Sequence, residues 1–401
     1  MKSRYINCLA QIILAAIFIC SIATSCKDAD SYKDDTLAKI DFNQEVVKIE
    51  TLGNYSRLKA YLILKLAKVP GKVETTCGFY LYRISYKTRN FNNDEILVSG
   101  LLAIPHGKTI KGIVSYQHGT TAERGEAPSK PTTEGIGISC LFAGNEYMVL
   151  IPDYIGLGIS QEIPTYMHTQ STVNTVIDFL KTGFKIINPL TMEKNPDLYL
   201  LGFSQGGSVT AAVQREMEIN NTTGLTLIAS ACIAGAYNLK DISVKYAINN
   251  KSTMYLGYIA NSYAHIYSQD LSSVIKNKYV NLIPILYDGS KSIDFIEKVL
   301  PKEPDSLYTQ KMIEDIIAGN KNWFTIALGQ NETYRWKPIT RLRFFYGTKD
   351  VDVSPQDAIS AYNDMKNLGG NVELINAGNY DHTASLIHSL PEIQRWFNNT
   401  R

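Results

Sequence analysis

The fold of this 401-residue chain is decided by residues 198–207, which read LYLLGFSQGG. The apolar first half is typical of a buried strand, and the small residues at 208–213 favour a helix directly after it. Between them stands Gly-x-Ser-x-Gly, the pattern of a sharp strand-to-helix turn that holds its serine in a strained conformation. Gly202 and Gly206 are needed because the chain segments on either side of Ser204 crowd together. The turn predicts an exposed serine hydroxyl beside the positive end of a helix.

Length and composition indicate a folded protein of one large or two smaller domains. Hydrophobic residues make up 45% of the chain and charged residues 19%, as in globular proteins. The net charge of +2 gives no indication of a nucleic-acid partner, and we expect none.

The N-terminus has the pattern of an export signal. Two basic residues precede an apolar run at 9–22, and small residues at 23–25 precede Cys26. This resembles a bacterial lipoprotein signal peptide of residues 1–25, with Cys26 as the lipidated residue; an ordinary secretory signal or an uncleaved anchor is the alternative. We interpret residues 26–50 as an acidic tether. The protein is then expected outside the cytoplasm, lipid-anchored to the membrane at its periplasmic face or at the cell surface.

Three cysteines remain after such a cleavage: Cys77, Cys140 and Cys232. The odd number allows at most one disulfide, and the spacing does not fit a metal site. We interpret all three as buried small residues.

Residues 51–400 alternate between strand and helix patterns. Strands are predicted at 77–88, 96–105, 111–116, 147–151, 198–203, 225–234, 342–346 and 372–375. Helices are predicted at 55–68, 169–187, 208–220 and after the last strand. The first two strands suit an antiparallel hairpin; the later alternation predicts a mostly parallel sheet with helices on both faces. In such a sheet the site lies at the carboxyl ends of the strands.

Helical spacing without strands fills residues from about 240 to 335, which predicts a helical cap inserted over the sheet. Its tyrosines either line a pocket or form the core of the cap. They are Tyr246, Tyr255, Tyr258, Tyr263 and Tyr267.

A serine nucleophile needs a base, and histidine has the suitable pKa. His382 is predicted in a polar loop between the last strand and the final helix, where a base could meet Ser204. We prefer it to His388, which falls inside that helix, and we interpret His118 as a residue that braces its loop.

The imidazole in turn needs a carboxylate to orient it. Asp350 and Asp352 follow the strand at 342–346, and we favour Asp350 because it lies on the turn directly after the strand. The chain order Ser204, Asp350, His382 is the order of serine sites on doubly covered parallel sheets.

An oxyanion at Ser204 needs two backbone donors. The amide of Gln205 is predicted to be one of them. Thr120 or Gly119, in the loop after the strand at 111–116, is predicted to supply the other.

Together these motifs resemble the α/β-hydrolase superfamily and, within it, the secretory-lipase and esterase branch. The motifs are HGT at 118–120, PDYIGLG at 152–158, GFSQGG at 202–207, GTKD at 347–350 and DH at 381–382. The resemblance implies a carboxylesterase or lipase that forms an acyl-enzyme on lipid, small or glycan esters, without a metal or organic cofactor. It also implies that Asp153 and Tyr154 border the site, a structural role in their loop being the alternative.

Two other functions remain open. A serine peptidase or aminopeptidase on the same fold would need a clamp for an amine, for which Glu123, Glu126 and Glu134 are available. A non-catalytic binding protein is the third possibility, and the complete set of serine, histidine and aspartate argues against it.

Overall fold

The computed structural model describes residues 46–71, 74–107, 110–191 and 196–400. Within these ranges nine strands form one sheet: β1 Val46–Tyr55, β2 Phe79–Arg89, β3 Glu95–Pro105, β4 Gly112–Gln117, β5 Tyr147–Pro152, β6 Asp197–Phe203, β7 Thr226–Ile233, β8 Arg341–Gly347 and β9 Val372–Gly378. Their order across the sheet is β1-β2-β3-β5-β4-β6-β7-β8-β9. The pairs from β1 to β5 are antiparallel and those from β5 to β9 are parallel, which confirms the predicted hairpin and the mostly parallel sheet.

Helices cover both faces of this sheet. Their bounds are α1 Arg57–Leu66, α2 Thr133–Phe142, α3 Thr169–Thr191, α4 Gln205–Ile219, α5 Val244–Asn249, α6 Thr253–Ile266, α7 Asn277–Val280, α8 Ile283–Leu286, α9 Ile293–Val299, α10 Pro304–Leu307, α11 Gln310–Ala318, α12 Trp323–Gln330, α13 Pro355–Asn367 and α14 His382–Asn399. One face packs against α3, α4 and α13, and the other against α1, α2 and α14. In the described part of the chain, every helix is too short or too polar to span a bilayer.

Strand β6 shows how the sequence directs this packing. Leu198 and Leu200 lie in the core under α3 and α4, whereas Tyr199 and Leu201 lie in the core under α2 and α14. Successive side chains of a strand point to opposite faces, so a strand covered on both sides reads as a continuous apolar run.

Strand β1 corrects one prediction. Residues 46–50 belong to β1, which pairs with β2 in the sheet. The prediction that the tether includes these five residues was therefore wrong. β1 is an edge strand with Val47 half exposed, and its polar residues hide the strand pattern in the sequence. The predicted signal peptide, Cys26 and the tether up to residue 45 lie outside the described residues.

The predicted cap is confirmed between β7 and β8, where α5 to α12 build a core of their own. Tyr258 and Tyr263 are fully buried in it. Their hydroxyls donate hydrogen bonds to the carbonyls of Thr121 and Met167, which belong to loops of the sheet domain. These two bonds tie the cap to the loops above the sheet edge.

Candidate active site

Ser204 occupies the turn between β6 and α4 with φ 56° and ψ −123°. Non-glycine residues rarely adopt a positive φ, and such strain concentrates at functional sites. A Cβ added to Gly206 would collide with the carbonyl of Gln117, and one added to Gly202 would collide with the carbonyl of Gly206. Helix α4 begins at Gln205, three residues before the predicted start, because the glycines after the serine are already helical.

Ser204, His382 and Asp350 form one chain of hydrogen bonds. His382 Nε2 lies 2.9 Å from Ser204 Oγ, and His382 Nδ1 lies 2.7 Å from Asp350 Oδ2. All three residues are at most 7% exposed. The structure thus brings together the three side chains that the sequence selected.

His382 is the first residue of α14. The prediction that it lies in a loop was therefore wrong, because the helix begins directly after Asp381. Asp381 caps this helix by accepting a hydrogen bond from the amide of Ala384. The ring of Phe203 packs against the imidazole with a centroid distance of 4.6 Å. His388, further along α14, stacks on Tyr380.

Asp350 is oriented by the turn that follows it. Its Oδ1 accepts hydrogen bonds from the amides of Asp352 and Val353, both at 2.9 Å, which leaves Oδ2 for His382. The hydroxyl of Tyr246, from the cap, donates to the Asp350 carbonyl. Asp352 makes no hydrogen bond to the imidazole; it lines the neighbouring cleft, and burial raises its pKa.

Asp350, Asp352 and His382 also form a group of potential metal ligands within 4.8 Å of one another. Both ring nitrogens of His382 are already engaged, by Ser204 and by Asp350. A metal ligand must offer a free lone pair, so this arrangement fits a proton-transfer chain better than a metal site.

The candidate oxyanion donors lie beside Ser204. A Cβ built on Gly119 would be 3.6 Å from Ser204 Cβ, but the Gly119 amide already donates to Glu134 at 3.5 Å. Among the described residues, the amides of Gln205 and Thr120 have no acceptor. These two amides are therefore the ones available to an oxygen bound at Ser204.

Contacts of His118 and Tyr154 hold the Gly119–Thr120 turn in place. His118 Nδ1 donates to the Gly119 carbonyl at 2.7 Å, and its ring stacks on Tyr154 at 4.1 Å. The Tyr154 hydroxyl donates to the carbonyl of His118. The environment of His118 fits the predicted bracing role, since burial lowers its pKa to about 4 and leaves the imidazole neutral.

Asp153 lies beneath the same loop and is fully buried. It accepts hydrogen bonds from the hydroxyl of Ser99 and the amide of Ser129, and burial raises its pKa to about 6. Neither Asp153 nor Tyr154 is among the residues that line the two cavities described beside Ser204. The contacts of both residues fit the structural alternative, a role within their loop.

An apolar cleft of about 570 Å³, partly open to solvent, extends from Ser204 and Gln205 into the cap. Its apolar wall from the cap consists of Leu239, Val244, Ala247, Tyr255, Leu256 and Ile259. Of the predicted tyrosines only Tyr255 lines it. Sequence analysis missed the aliphatic residues because helical spacing does not distinguish a cleft wall from a cap core.

The cysteines of the described residues, Cys77, Cys140 and Cys232, are free thiols. Cys140 and Cys232 are buried, as interpreted, whereas Cys77 is only half-buried. Its thiol donates to the carbonyl of Ala143 at 3.3 Å.

No family model matches the sequence, and neither does any curated protein. Solved structures do match. A proposed hydrolase from Legionella pneumophila is similar with 26% identity and a TM-score of 0.82 over 89% of this chain and 98% of its own. The rice cell wall degrading esterase LipA from Xanthomonas oryzae is similar with 22% identity and a TM-score of 0.78 over 88% of this chain and 97% of its own. The chain has the α/β-hydrolase fold.

A more distant α/β-hydrolase supports the same assignment. Candida antarctica lipase A in its closed state has 15% identity and a TM-score of 0.65 over 89% of this chain and 82% of its own. These neighbours relate the chain to α/β-hydrolases that include esterases and lipases. At such identities the likeness concerns the fold, and the site must be argued from its own geometry.

Proposed function

We propose that this protein is a serine hydrolase that cleaves carboxylic esters through an acyl-enzyme. The observation that carries the proposal is the buried hydrogen-bond chain from Ser204 through His382 to Asp350, with distances of 2.9 and 2.7 Å. The esterase and lipase among the structural neighbours support the choice of an ester as substrate.

In the proposed mechanism, His382 Nε2 takes the proton from Ser204 Oγ as this oxygen attacks the ester carbonyl carbon. Asp350 stabilises the imidazolium that forms. The amides of Gln205 and Thr120 donate hydrogen bonds to the carbonyl oxygen while it carries negative charge. The imidazolium then protonates the alcohol oxygen, and the bond between carbonyl carbon and alcohol oxygen breaks. Water repeats the sequence on the acyl-enzyme, which releases the acid and restores Ser204.

The apolar cleft in the cap supports a place for the acyl group. It begins at Ser204 and continues along Val244 and Leu256. Burial of apolar groups contributes about 0.8 kcal/mol per methylene, so such a wall favours an acyl chain over a polar group.

The test is a Ser204→Ala variant assayed with 4-nitrophenyl acetate and with alanine 4-nitroanilide. We expect the native protein to cleave the nitrophenyl ester and the variant to lose at least about 10³-fold in kcat. Urea unfolding of both proteins would show that the variant is folded. A folded variant with full turnover would contradict the proposal.

A serine peptidase is the second candidate. Two carboxylates, Glu126 and Glu134, line a pocket beside the Gly119–Thr120 turn, and carboxylates can hold the amino group of a peptide. Faster cleavage of alanine 4-nitroanilide than of the acetate would favour this candidate.

We further propose that the protein is exported and lipid-anchored through Cys26. The support is the sequence pattern of residues 1–26. Labelling of cells with a radioactive or clickable fatty acid should mark the native protein and leave a Cys26→Ala variant unlabelled. Equal labelling of the two proteins would argue against the anchor.

A further inference from the structure

A second pocket, whose empty space of about 360 Å³ includes open solvent, has the Gly119–Thr120 turn in its wall and shares no lining residue with the apolar cleft. We infer that this pocket binds the alcohol part of the substrate and selects esters of hydroxyl-rich alcohols, such as polyols or sugars. The inference rests on the proposed function and names the substrate class of the same site.

The first observation is an unpaired acceptor. His118 lines the pocket and is only 5% exposed, and its Nε2 has no hydrogen-bond partner among the described residues. The Nδ1–H donates to the Gly119 carbonyl, so in the neutral ring Nε2 carries a lone pair. An unsatisfied buried acceptor costs about 1–3 kcal/mol, so the pocket favours an occupant, water or a ligand, that donates a hydrogen bond.

The second observation is the character of the remaining wall. Glu134 accepts hydrogen bonds from the Tyr116 hydroxyl and the Gly119 amide, and burial raises its pKa. Neither Glu134 nor Glu126 forms an ion pair with a lysine or arginine of the described residues. Carboxylate oxygens have more acceptor sites than these contacts occupy, so they too call for a donor.

Hydroxyl groups suit this wall better than an ammonium group does. The Thr121 hydroxyl donates to Glu126 and keeps its lone pairs, whereas the Thr132 hydroxyl accepts from the Gly135 amide and keeps its proton to donate. Pro128 and Ile151 contribute apolar surface. A polyol both donates and accepts hydrogen bonds and also presents C–H surface, so it can use every part of such a lining. An ammonium group has donors alone.

The position of the pocket fits the alcohol side of an ester. Gly119 belongs to the wall of the pocket, and a Cβ built on Gly119 would lie 3.6 Å from Ser204 Cβ. The apolar cleft extends from Ser204 toward the cap. An ester whose carbonyl lies at Ser204 can therefore place its acyl chain in the cleft and its alcohol beside Glu134 and His118.

The experiment compares two acetates with different alcohols, glycerol monoacetate and ethyl acetate, so that the acyl group stays the same. The measured quantity is the ratio of kcat/KM for the glycerol ester to kcat/KM for the ethyl ester. We expect the native enzyme to prefer the glycerol ester. Glu134→Gln and, independently, His118→Phe should each lower the ratio about tenfold, since a hydrogen bond to a charged or buried acceptor contributes about 1.4 kcal/mol or more.

Glu123→Gln is the matched control, because it removes one carboxylate charge from the loop that precedes α2, and Glu123 does not line the pocket. It should keep the native ratio. Damage to the oxyanion donors would lower both rates together and leave the ratio unchanged, so the ratio reports the pocket alone.

Three results would overturn the inference. An unchanged ratio in both variants would mean that the pocket holds water only, while the proposed esterase function would stand. A loss confined to aminoethyl acetate or to alanine 4-nitroanilide would mean that the pocket binds an ammonium group. Failure of the native enzyme on every ester would overturn the proposed function and this inference with it.

Discussion

Ser204 is held in a backbone conformation that costs about 1–3 kcal/mol. The cost is offset by the packing of β6 and α4, which are buried along most of their lengths. In return the hydroxyl stands at the carboxyl edge of the sheet, directly before the first amide of α4. The glycines two residues before and after the serine carry no chemistry. Gly206 lets the backbone pass close to the carbonyl of Gln117, and Gly202 leaves room for the carbonyl of Gly206.

The two aspartates after β8 allow a direct test of the acid. Asp350→Asn should lower kcat for nitrophenyl acetate by about 10³–10⁴-fold, because an amide cannot stabilise the imidazolium and favours the wrong tautomer. Asp352→Asn, two residues away, should stay within about tenfold of the native kcat, because its side chain has no bond to His382. Equal losses in the two variants would contradict the assignment of Asp350.

At the scale of elements, the cap helices α5 and α6 set the size of the apolar cleft. Val244 and Ala247 come from α5, and Leu256 and Ile259 come from α6. The sheet places the reacting groups, and the cap decides how long an acyl chain can extend from them. Both helices also pack into the core of the cap.

Ala247→Phe tests this division of roles. The larger side chain should shorten the cleft and lower kcat/KM for nitrophenyl octanoate by more than about tenfold relative to nitrophenyl acetate, because at least two methylenes lose their buried place. Asn249→Phe adds the same bulk at an exposed position of the same helix and should keep the native ratio. A parallel loss on both esters in Ala247→Phe would indicate a folding defect and not a shorter cleft.

At the scale of the whole molecule, Asp357 joins the sheet domain to the start of the cap. It lies fully buried in the first turn of α13. Its Oδ1 accepts hydrogen bonds from the amides of Tyr237 and Asn238, where the chain leaves β7, and from the hydroxyl of Ser243 at the cleft. Burial raises the pKa of Asp357 to about 7.

This raised pKa predicts how stability depends on pH. The folded protein keeps the proton of Asp357 between about pH 4 and pH 7, whereas the unfolded chain releases it near pH 4. The contribution of protonated Asp357 to the free energy of unfolding is therefore fully present below about pH 4 and is lost as the pH rises through 7. The free energy of unfolding of the native protein should fall between pH 5 and pH 8 by more than that of Asp357→Asn.

Urea unfolding at several pH values measures this difference. Asp364→Asn, on the exposed side of the same helix, serves as the control and should keep the native slope. Burial raises the pKa of Asp153 to about 6, so this residue also makes stability fall as the pH rises. The Asp357→Asn variant should therefore keep part of the native slope of stability against pH. Identical slopes in the native protein and Asp357→Asn would show that Asp357 is ionised in the folded state.

Much of this architecture is readable along the chain because it depends on neighbours in sequence. A continuous apolar run such as 198–203 marks a strand covered on both faces, and Gly-x-Ser-x-Gly after it fixes the turn. The strand ends then locate Asp350 and His382, since parallel strands present their carboxyl ends at one edge. The edge strand β1 escaped detection because none of its described side chains is fully buried, so it lacks the continuous apolar run of a strand covered on both faces.

Other features depend on contacts between residues far apart in sequence, so only the tertiary structure determines them. Asp350 differs from Asp352 because the following amides turn its carboxylate toward an imidazole on another helix. The Thr120 amide is available and that of Gly119 is engaged, because Glu134 arrives from α2. The lining of the cleft likewise depends on how the cap packs over the sheet, and apolar residues on a helix do not encode by themselves which surface they will face.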